Sequence, residues 1–101
     1  MIGIDITRIS RFEKMALLPK FLKRFNVDGD TALAAAKTWA CLEALYKAEG
    51  GGVAPNQVRV IFPKNSAPKI VDYKNTLKYN YTMTLSHEDD LVVAVALGSK
   101  E

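Results

Sequence analysis

Residues 31–52 read TALAAAKTWACLEALYKAEGGG, and they carry the clearest structural signal in the chain. Nearly every residue from Thr31 to Glu49 is a good helix former, and the glycine triplet Gly50–Gly52 follows, as glycine commonly does at a helix C-terminus. The preceding Asp30 is the expected N-cap. The sequence therefore predicts one long helix that ends at a glycine triplet.

Two charged residues of this helix, Glu43 and Lys47, lie one turn apart on the same face at about 100° per residue. Ala36 and Ala40 share that face, which predicts a flat, open surface beneath the charged pair. The opposite side is expected to face a core and carries Cys41, Leu45 and Ala48. Two interpretations of the pair stay open, namely an ordinary surface salt bridge and a functional pair beside a ligand.

Alternating apolar residues on both sides of the helix predict β-strands. The expected strands are 1–6, 57–62, 69–71, 81–85 and 91–97. A helical turn is expected over 72–77, and the segment 86–90 is expected to join the last two strands. The predicted fold class is α+β, a long helix packed on an antiparallel sheet, in a single domain over 1–101.

The segment between the first strand and the long helix is expected to form two short helices. Ser10 and Glu13 fit a capping box, which predicts a helix from Ser10 to about Leu18. Pro19 is expected to break this helix, and the second helix then continues through Phe25. Basic residues outnumber the single acid Glu13 here: Arg8, Arg11, Lys14, Lys20, Lys23 and Arg24. This cluster is either a solvated surface or a patch that attracts acidic partners.

Composition narrows the class of protein. The 101 residues are 49% hydrophobic and 25% charged, which is typical of a globular protein, and the formal net charge is +3. No apolar run approaches the roughly 20 residues that span a bilayer, and the N-terminus lacks the features of a secretory signal. Cys41 is the only cysteine, which excludes an internal disulfide and a CxxC metal site. We therefore expect a cytoplasmic protein.

Three features are candidates for chemistry. Asp5 follows Gly3 in a strand of isoleucines, and a buried carboxylate there needs a metal, an arginine or backbone amides, unless the alternation exposes it to solvent. With Glu43 it offers magnesium two hard oxygen ligands. His87, the only histidine, is either a turn residue or a phosphate contact. The glycine triplet lacks the ending of a P-loop, so it is either a helix cap or bare backbone that a ligand approaches.

These features, in this order, resemble the holo-acyl-carrier-protein synthase family of 4′-phosphopantetheinyl transferases. Gly3–Ile6 with Arg11 resembles the family's opening G-x-D-I…R, and Phe21–Arg24 resembles its F-x-x-R. Trp39–Ala48 is similar to its W/F-A-A-K-E-A-x-x-K-A helix. The later matches are Gly50–Gly52 with G-T-G, Ser86-His87 with S-H, and Val92–Ala96 with A-x-A-V. The resemblance covers essentially the whole chain.

The resemblance implies transfer of phosphopantetheine from coenzyme A to a serine of an acyl carrier protein, with release of adenosine 3′,5′-bisphosphate. Asp5 and Glu43 would bind Mg²⁺ together with the coenzyme A pyrophosphate. Lys47 would neutralise charge on the leaving phosphates, the main task in phosphoryl transfer. The serine proton would go either to Glu43 or to a metal-bound water.

The resemblance also implies where the partners bind. Gly50, Gly51 and Gly52 would line the adenosine side of the coenzyme, and Ser86 and His87 would lie at its site, with His87 at a phosphate. Arg11 and Arg24 would contact acidic helices of the carrier protein. The resemblance also implies a homotrimer in which each site lies between neighbouring subunits. It implies no nucleic-acid or membrane partner.

Two positions differ from the family's helix. Leu42 replaces the usual lysine, and Thr38 replaces an arginine. Each charge-assisted contact contributes about 1.5–3 kcal/mol, so we expect coenzyme A to bind more weakly unless other cations substitute. The alternative is a weak or inactive paralogue that binds a carrier protein or a sister subunit. A nucleic-acid-binding domain is disfavoured, because the phenylalanines among the basic residues are spaced as on a buried helix face.

Overall fold

The computed structural model describes residues 1–54 and 56–100, over which the chain forms five strands and three helices. Their order is β1 (Ile2–Arg8), α1 (Ser10–Glu13), α2 (Leu18–Arg24), α3 (Ala32–Glu49), β2 (Val58–Ile61), β3 (Lys69–Asp72), β4 (Asn80–Glu88) and β5 (Leu91–Ser99). The first sheet is antiparallel in the order β1-β5-β4, and β2 pairs with β3 in a second antiparallel sheet. α3 packs on the first sheet, which confirms the predicted α+β class. None of the described helices has the length and apolar character needed to cross a bilayer.

The long helix α3 has a defined cap at each end. The hydroxyl oxygen of Thr31 accepts a hydrogen bond from the backbone N–H of Ala34 at 3.0 Å, so Thr31 is the N-cap and the prediction of Asp30 was wrong. At the other end Gly50 has φ of 83°, the left-handed conformation that glycine adopts without steric cost. The predicted helix is confirmed, and its C-terminus is the predicted one.

The three-stranded sheet has an inner face against α3 and an outer face, because side chains alternate along each strand. On β1 the inner residues Gly3 and Thr7 are buried, whereas Ile2, Ile4 and Ile6 are 59%, 51% and 63% exposed. The three isoleucines share one face as predicted, and that face is the outer one. The inner face and α3 supply most of the core cluster: Ala35, Ala36, Ala40, Cys41, Ala44, Ala48, Met83, Val92, Ala94 and Ala96.

The surface of α3 near Glu43 and Lys47 differs from the prediction. Ala36 and Ala40 were expected to form an open surface, but both are fully buried in the core. Small side chains there allow the helix to approach its neighbours closely, so the charged pair lies at the margin of the core. The core predicted for the opposite side is confirmed by Cys41, Leu45 and Ala48.

The segment after β3 forms a tight turn, and the helical turn predicted over 72–77 was wrong. The carboxylate of Asp72 accepts hydrogen bonds from the backbone N–H groups of Thr76 at 3.2 Å and Leu77 at 3.0 Å. A side chain thus takes the place of the helix carbonyls that would otherwise bind these donors.

The helix α1 is a single turn, and the predicted continuation to Leu18 was wrong. The capping box is absent as well. Instead, Ser10 donates from its backbone N–H and from its hydroxyl to the Asp90 carboxylate, each at 2.7 Å. α2 includes Pro19 in its first turn, where a missing N–H costs nothing.

The strands β4 and β5 are longer than predicted. Only Asp89 and Asp90 connect them, so the loop expected over 86–90 was wrong. Ser86 and His87 belong to β4 and pair with Val93 and Val92 of β5. Asp89 has φ of 53°, which aspartate tolerates better than most residues and which permits this tight connection.

Candidate active site

The backbones of β1 and α3 approach each other closely at Gly3. A Cβ atom at this position would collide with the carbonyl oxygen of Ala44 and lie 2.7 Å from the backbone nitrogen of Ala48. Both obstructing atoms belong to a helix backbone, which cannot rotate aside as a side chain can. Glycine is therefore required here, and we call this approach the β1–α3 contact. It brings Asp5, the next inward residue of β1, beside Lys47.

Asp5 is paired with Lys47 across the β1–α3 contact. The Lys47 Nζ lies 3.2 Å from Asp5 Oδ1, and it also donates to the carbonyl oxygen of Ile4 at 3.0 Å. The Asp5 side chain is only 14% exposed, so the ammonium compensates a largely desolvated carboxylate. The sequence left arginine and solvent open as partners of Asp5, and the structure shows neither in that role. In the structure its charged partner is a lysine.

Glu43 lies one turn before Lys47 on α3, but no ion pair joins them, so the surface salt bridge considered from the spacing does not form. Glu43 instead contributes to the wall of a cavity of about 220 Å³. The other lining residues are mostly apolar: Phe25, Trp39, Leu42, Tyr46, Val53 and Ala54. The helix thus carries one carboxylate beside an apolar cavity and one ammonium beside Asp5.

The glycine triplet follows directly after α3. Gly50, Gly51 and Gly52 have φ angles of 83°, 98° and 80°, a region that side chains with a Cβ rarely adopt. A Cβ on Gly50 or Gly52 would meet no atom within 4 Å, so conformation and not space requires glycine at these two positions. The triplet ends the helix and leaves bare backbone at its C-terminus.

Ser86 and His87 lie on β4, the strand of the first sheet that is farthest from β1. His87 shares the inner face with the buried Met83, and Ser86 points to the outer face. His87 is opposite Val92, which is opposite Thr7 of β1, so two strand spacings of about 4.8 Å separate His87 from β1. The structure therefore unites Asp5 with Lys47 and keeps Glu43 one turn away, but it does not bring Ser86 and His87 to them within one chain.

The two arginines predicted to contact a carrier protein both lie over aromatic rings. The guanidinium of Arg11 is 5.2 Å from the ring centroid of Trp39, and that of Arg24 is 5.8 Å from the centroid of Phe25. Phe25 and Trp39 also contact each other edge to face, and both line the cavity beside Glu43. The basic surface and the cavity thus share their aromatic residues.

The two departures from the family's helix have different surroundings. Thr38 is fully buried, and its hydroxyl donates to the carbonyl oxygen of Ala34 at 2.9 Å. A buried position cannot present a charge to a ligand without rearrangement, so the expectation that Thr38 removes a phosphate contact does not fit this structure. Leu42 is half-buried at the cavity beside Trp39 and Tyr46, on the flank where the helix geometry placed it.

The cysteine is excluded as a nucleophile. Burial raises the pKa of the Cys41 thiol to about 12, although the nearby Lys37 ammonium acts in the opposite direction. The thiol therefore stays neutral and buried in the core.

Sequence reasoning missed Thr7, and it also missed a buried carboxylate, Glu49, at the end of α3. Glu49 accepts hydrogen bonds from the backbone N–H of Lys78 at 2.8 Å and from the Tyr81 hydroxyl at 2.5 Å. Burial, followed by the adjacent Glu49 carboxylate, raises the pKa of Tyr81. These contacts join α3 to the start of β4. Nothing in the local sequence indicates a partner about 30 residues away.

A third missed residue, Asp90, joins the β4–β5 hairpin to α1. Its two hydrogen bonds from Ser10 lower the pKa of the Asp90 carboxyl, and Arg8 at 3.8 Å adds to that effect. The Asp90 carboxylate also explains why the capping box does not form. It accepts the hydrogen bond from the Ser10 backbone N–H that the Glu13 side chain was expected to accept, and it binds the Ser10 hydroxyl that was expected to accept from the Glu13 N–H.

Comparison with known proteins gives a consistent answer. A family model described as the 4′-phosphopantetheinyl transferase superfamily matches residues 1–96. The holo-acyl-carrier-protein synthase of Campylobacter curvus is 34% identical over 116 aligned positions, which cover 98% of this chain and 100% of the relative. The holo-acyl-carrier-protein synthase of Mycoplasma mobile is 29% identical, and the alignment covers 96% of this chain and 87% of the relative.

Solved structures support the fold. The holo-acyl-carrier-protein synthase of Helicobacter pylori, crystallised with coenzyme A, matches with a TM-score of 0.75 at 23% identity and covers 98% of this chain and 100% of its own. The holo-acyl-carrier-protein synthase of Plasmodium yoelii matches with a TM-score of 0.76 at 20% identity, and the match covers 96% of this chain and 91% of that structure. The chain belongs to the 4′-phosphopantetheinyl transferase superfamily. The holo-acyl-carrier-protein synthase resemblance and the prediction of an enzyme of that type are both confirmed.

Proposed function

We propose that the chain transfers 4′-phosphopantetheine from coenzyme A to a serine of an apo acyl carrier protein, with Mg²⁺ as cofactor and adenosine 3′,5′-bisphosphate as the second product. The observation that carries the proposal is the Asp5–Lys47 pair at the β1–α3 contact, with Glu43 one turn before Lys47. A family member with these three residues in these places has the charges that phosphoryl transfer needs.

The chemistry of the donor atoms fits Mg²⁺. Asp5 Oδ1 and the carbonyl oxygen of Ile4 converge on one cation, which in this structure is the Lys47 ammonium, and both are hard oxygen atoms. Among the described residues no group of three or more His, Cys, Asp and Glu side chains lies close enough to hold a metal. The proposed side-chain ligands are Asp5 and Glu43, and pyrophosphate oxygens and waters would complete the set. Bound there, Mg²⁺ would neutralise charge on the pyrophosphate.

The proposed transfer exchanges one phosphorus–oxygen bond for another. The hydroxyl oxygen of the carrier serine attacks the β-phosphorus of coenzyme A, and the bond from that phosphorus to the bridging oxygen breaks. Adenosine 3′,5′-bisphosphate leaves with the bridging oxygen. Lys47 reaches the reacting phosphates on a flexible stem and stabilises the negative charge that grows on the leaving oxygen. Glu43 and a water molecule remain the alternative acceptors of the serine proton.

The remaining predicted site residues fit an extended ligand. The bare backbone of Gly50–Gly52 would line the adenosine side, and Ser86 with His87 would contact the coenzyme from β4. Because His87 lies two strands away from β1, we propose that a complete site takes these residues from a neighbouring subunit. Arg11 and Arg24, both exposed beside the cavity, would meet the acidic carrier protein.

The outer face of the first sheet supports a homotrimer. Large apolar side chains are exposed on it, and they belong to β1 and β5: Ile2, Ile4, Ile6, Leu91 and Leu97. Contiguous apolar surface of this kind marks protein contacts, and a small chain gains stability by covering it. Light scattering at micromolar concentration should give a trimer for the wild type and a monomer for Ile4→Lys, and a monomeric wild type would refute this part of the proposal.

The function is tested by incubating the protein with coenzyme A, Mg²⁺ and an apo-carrier protein from the same organism, followed by intact-mass measurement. We expect the carrier to gain one phosphopantetheine group. Asp5→Asn should abolish the gain, whereas Glu13→Gln, which removes an exposed carboxylate from α1, should not. A carrier that binds the protein but never gains the group would favour the alternative, a paralogue without catalysis, and Leu42 is the one departure that supports it. A cytoplasmic location stays a prediction.

A further inference from the structure

Thr7 has a buried hydroxyl with a specific partner. The side chain lies two residues after Asp5 on the same face of β1, and the residue is only 5% exposed. Its Oγ1 donates to Asp5 Oδ2 at 2.7 Å, which is a short, charge-assisted hydrogen bond. Thr7 and Lys47 therefore bind different oxygen atoms of the Asp5 carboxylate.

This contact fixes the orientation of the Asp5 carboxylate. The last torsion of an aspartate side chain is broad and roughly two-fold, so a carboxylate with one partner can turn. Here the Thr7 hydroxyl occupies Oδ2, while Oδ1 faces the Lys47 ammonium at 3.2 Å. Oδ1 is therefore the oxygen that faces a cation, together with the carbonyl oxygen of Ile4.

We propose that Thr7 is a positioning residue that orients Asp5 Oδ1 toward the bound metal ion and thereby sets the metal affinity. The inference rests on the proposed function, in which Asp5 is a metal ligand. Hydrogen bonds to metal ligands from outside the coordination sphere typically change metal affinity by about 10–100-fold when they are lost. Thr7 makes no contact with the coenzyme or the carrier in this scheme and acts only through Asp5.

A packing role for Thr7 predicts a different pattern of variants. Thr7→Val keeps the shape of the side chain and its preference for a strand, but it removes the hydroxyl. Thr7→Ser keeps the hydroxyl and removes a buried methyl group. If Thr7 only fills space, serine is the more harmful change, whereas a positioning role makes valine the more harmful one.

The test measures Mn²⁺ affinity by electron paramagnetic resonance of the free ion, at saturating coenzyme A and without a carrier protein. We expect Thr7→Val to bind Mn²⁺ about 10–100-fold more weakly than the wild type, and Thr7→Ser to stay within about threefold. Thr76→Val, at an exposed threonine of the turn after β3, is the matched control and should bind like the wild type. Thermal unfolding of each variant reports whether it is folded, and Thr7→Ala compared with Thr7→Ser replaces the valine comparison if Thr7→Val does not fold.

Each outcome bears on the inference. If Thr7→Val binds Mn²⁺ as tightly as the wild type, or if Thr7→Ser is as weak as Thr7→Val, the positioning role is overturned and the proposed function stands. If the wild type binds no Mn²⁺ in the presence of coenzyme A, the metal site and the positioning role are overturned together. Transfer activity, measured after apo-carrier protein is added to the same samples, then separates a failed metal assignment from a failed function.

Discussion

The β1–α3 contact and the β4–β5 hairpin carry different parts of the candidate site and are held in different ways. At the first, backbone meets backbone at Gly3, and Asp5 and Lys47 come together within one chain. At the second, a backbone hydrogen bond from Ile9 to Asp90 and the pairing of β5 with β1 are supplemented by side-chain contacts, from Asp90 to Ser10 and from Tyr81 to Glu49. A contact between backbones tolerates no added atom, whereas a contact between side chains can adjust. The comparison predicts that changes at the β1–α3 contact have the larger effects.

The largest effect is expected for Gly3→Ala. The added methyl group would collide with the backbone of α3, and overpacking a core costs about 1–3 kcal/mol or more. We expect at least about 3 kcal/mol of lost unfolding free energy, because no side chain can move aside, and transfer activity should fall below detection as Asp5 separates from Lys47. Chemical denaturation and the intact-mass assay measure the two effects.

The matched control is Gly98→Ala in the hairpin. A Cβ there would lie 2.8 Å from the Cε1 atom of Tyr81, in a ring that can shift, and 3.0 Å from the Cβ of Tyr79, which would have to give by only a few tenths of an ångström. We expect a loss of about 1–2 kcal/mol with activity largely kept. Equal losses for the two glycines would contradict the distinction between the two regions.

The second prediction separates the two functions of Lys47 at the β1–α3 contact. In Lys47→Met the ammonium no longer lies 3.2 Å from Asp5, so Mn²⁺ without coenzyme A should bind about 3–10-fold more tightly, because one competing positive charge is gone. Transfer should nevertheless fall by about 10²–10³-fold, since the charge on the leaving phosphates is no longer neutralised. Lys37→Met on the same helix, whose ammonium lies over the ring of Phe62, should change neither quantity. Weaker Mn²⁺ binding by Lys47→Met would show that the lysine assists the ion instead of competing with it.

The two regions also differ in how far the sequence could predict them. The long helix, its end at the glycine triplet and the shared face of Ile2, Ile4 and Ile6 follow from local periodicity, and the structure confirms each. The Asp5–Lys47 pair was within reach because both residues belong to family motifs. The geometry of the pair could not be predicted, because it depends on the close approach at Gly3 between segments about 40 residues apart.

The hairpin was predicted less well because its connections are not local. The carboxylate of Asp90 binds Ser10 across 80 positions in sequence, and this contact displaces the capping box that the Ser10–Glu13 spacing indicated. Outside the hairpin, in the turn after β3, a local contact has a similar effect: Asp72 binds the N–H groups of Thr76 and Leu77 in place of a helix. In each case a side-chain carboxylate binds backbone donors that local propensity assigns to a helix.

The third prediction concerns the cavity next to Glu43. Leu42→Lys would place an ammonium at this cavity while its stem covers the apolar surface that leucine now covers. We expect coenzyme A to bind up to about tenfold more tightly at low salt and less so at physiological ionic strength, where screening acts within about 8 Å. Titration calorimetry at two salt concentrations measures this, and Leu17→Lys, which adds the same charge at an exposed position, should give little change. If Leu42→Lys binds no better at low salt, the phosphates do not lie at this cavity.

The smallest effect is expected at the hairpin, for Asp90→Asn. The hydrogen bonds from Ser10 lower the pKa of Asp90 in the folded chain below its ordinary value of 3.8. A carboxyl whose pKa is lowered on folding stabilises the fold above its unfolded pKa, and this contribution disappears as the pH falls through the folded value. The wild type should therefore unfold at a slightly higher temperature than Asp90→Asn at pH 6–7, and the difference should shrink as the pH falls below the ordinary carboxyl pKa of 3.8. Asp89→Asn is the control, because it removes an acid from the same turn without a bond to Ser10. A difference for Asp90→Asn that stays constant from pH 7 to pH 3 would mean that the carboxylate charge contributes nothing to this connection, and that the hairpin is joined to α1 by neutral hydrogen bonds alone.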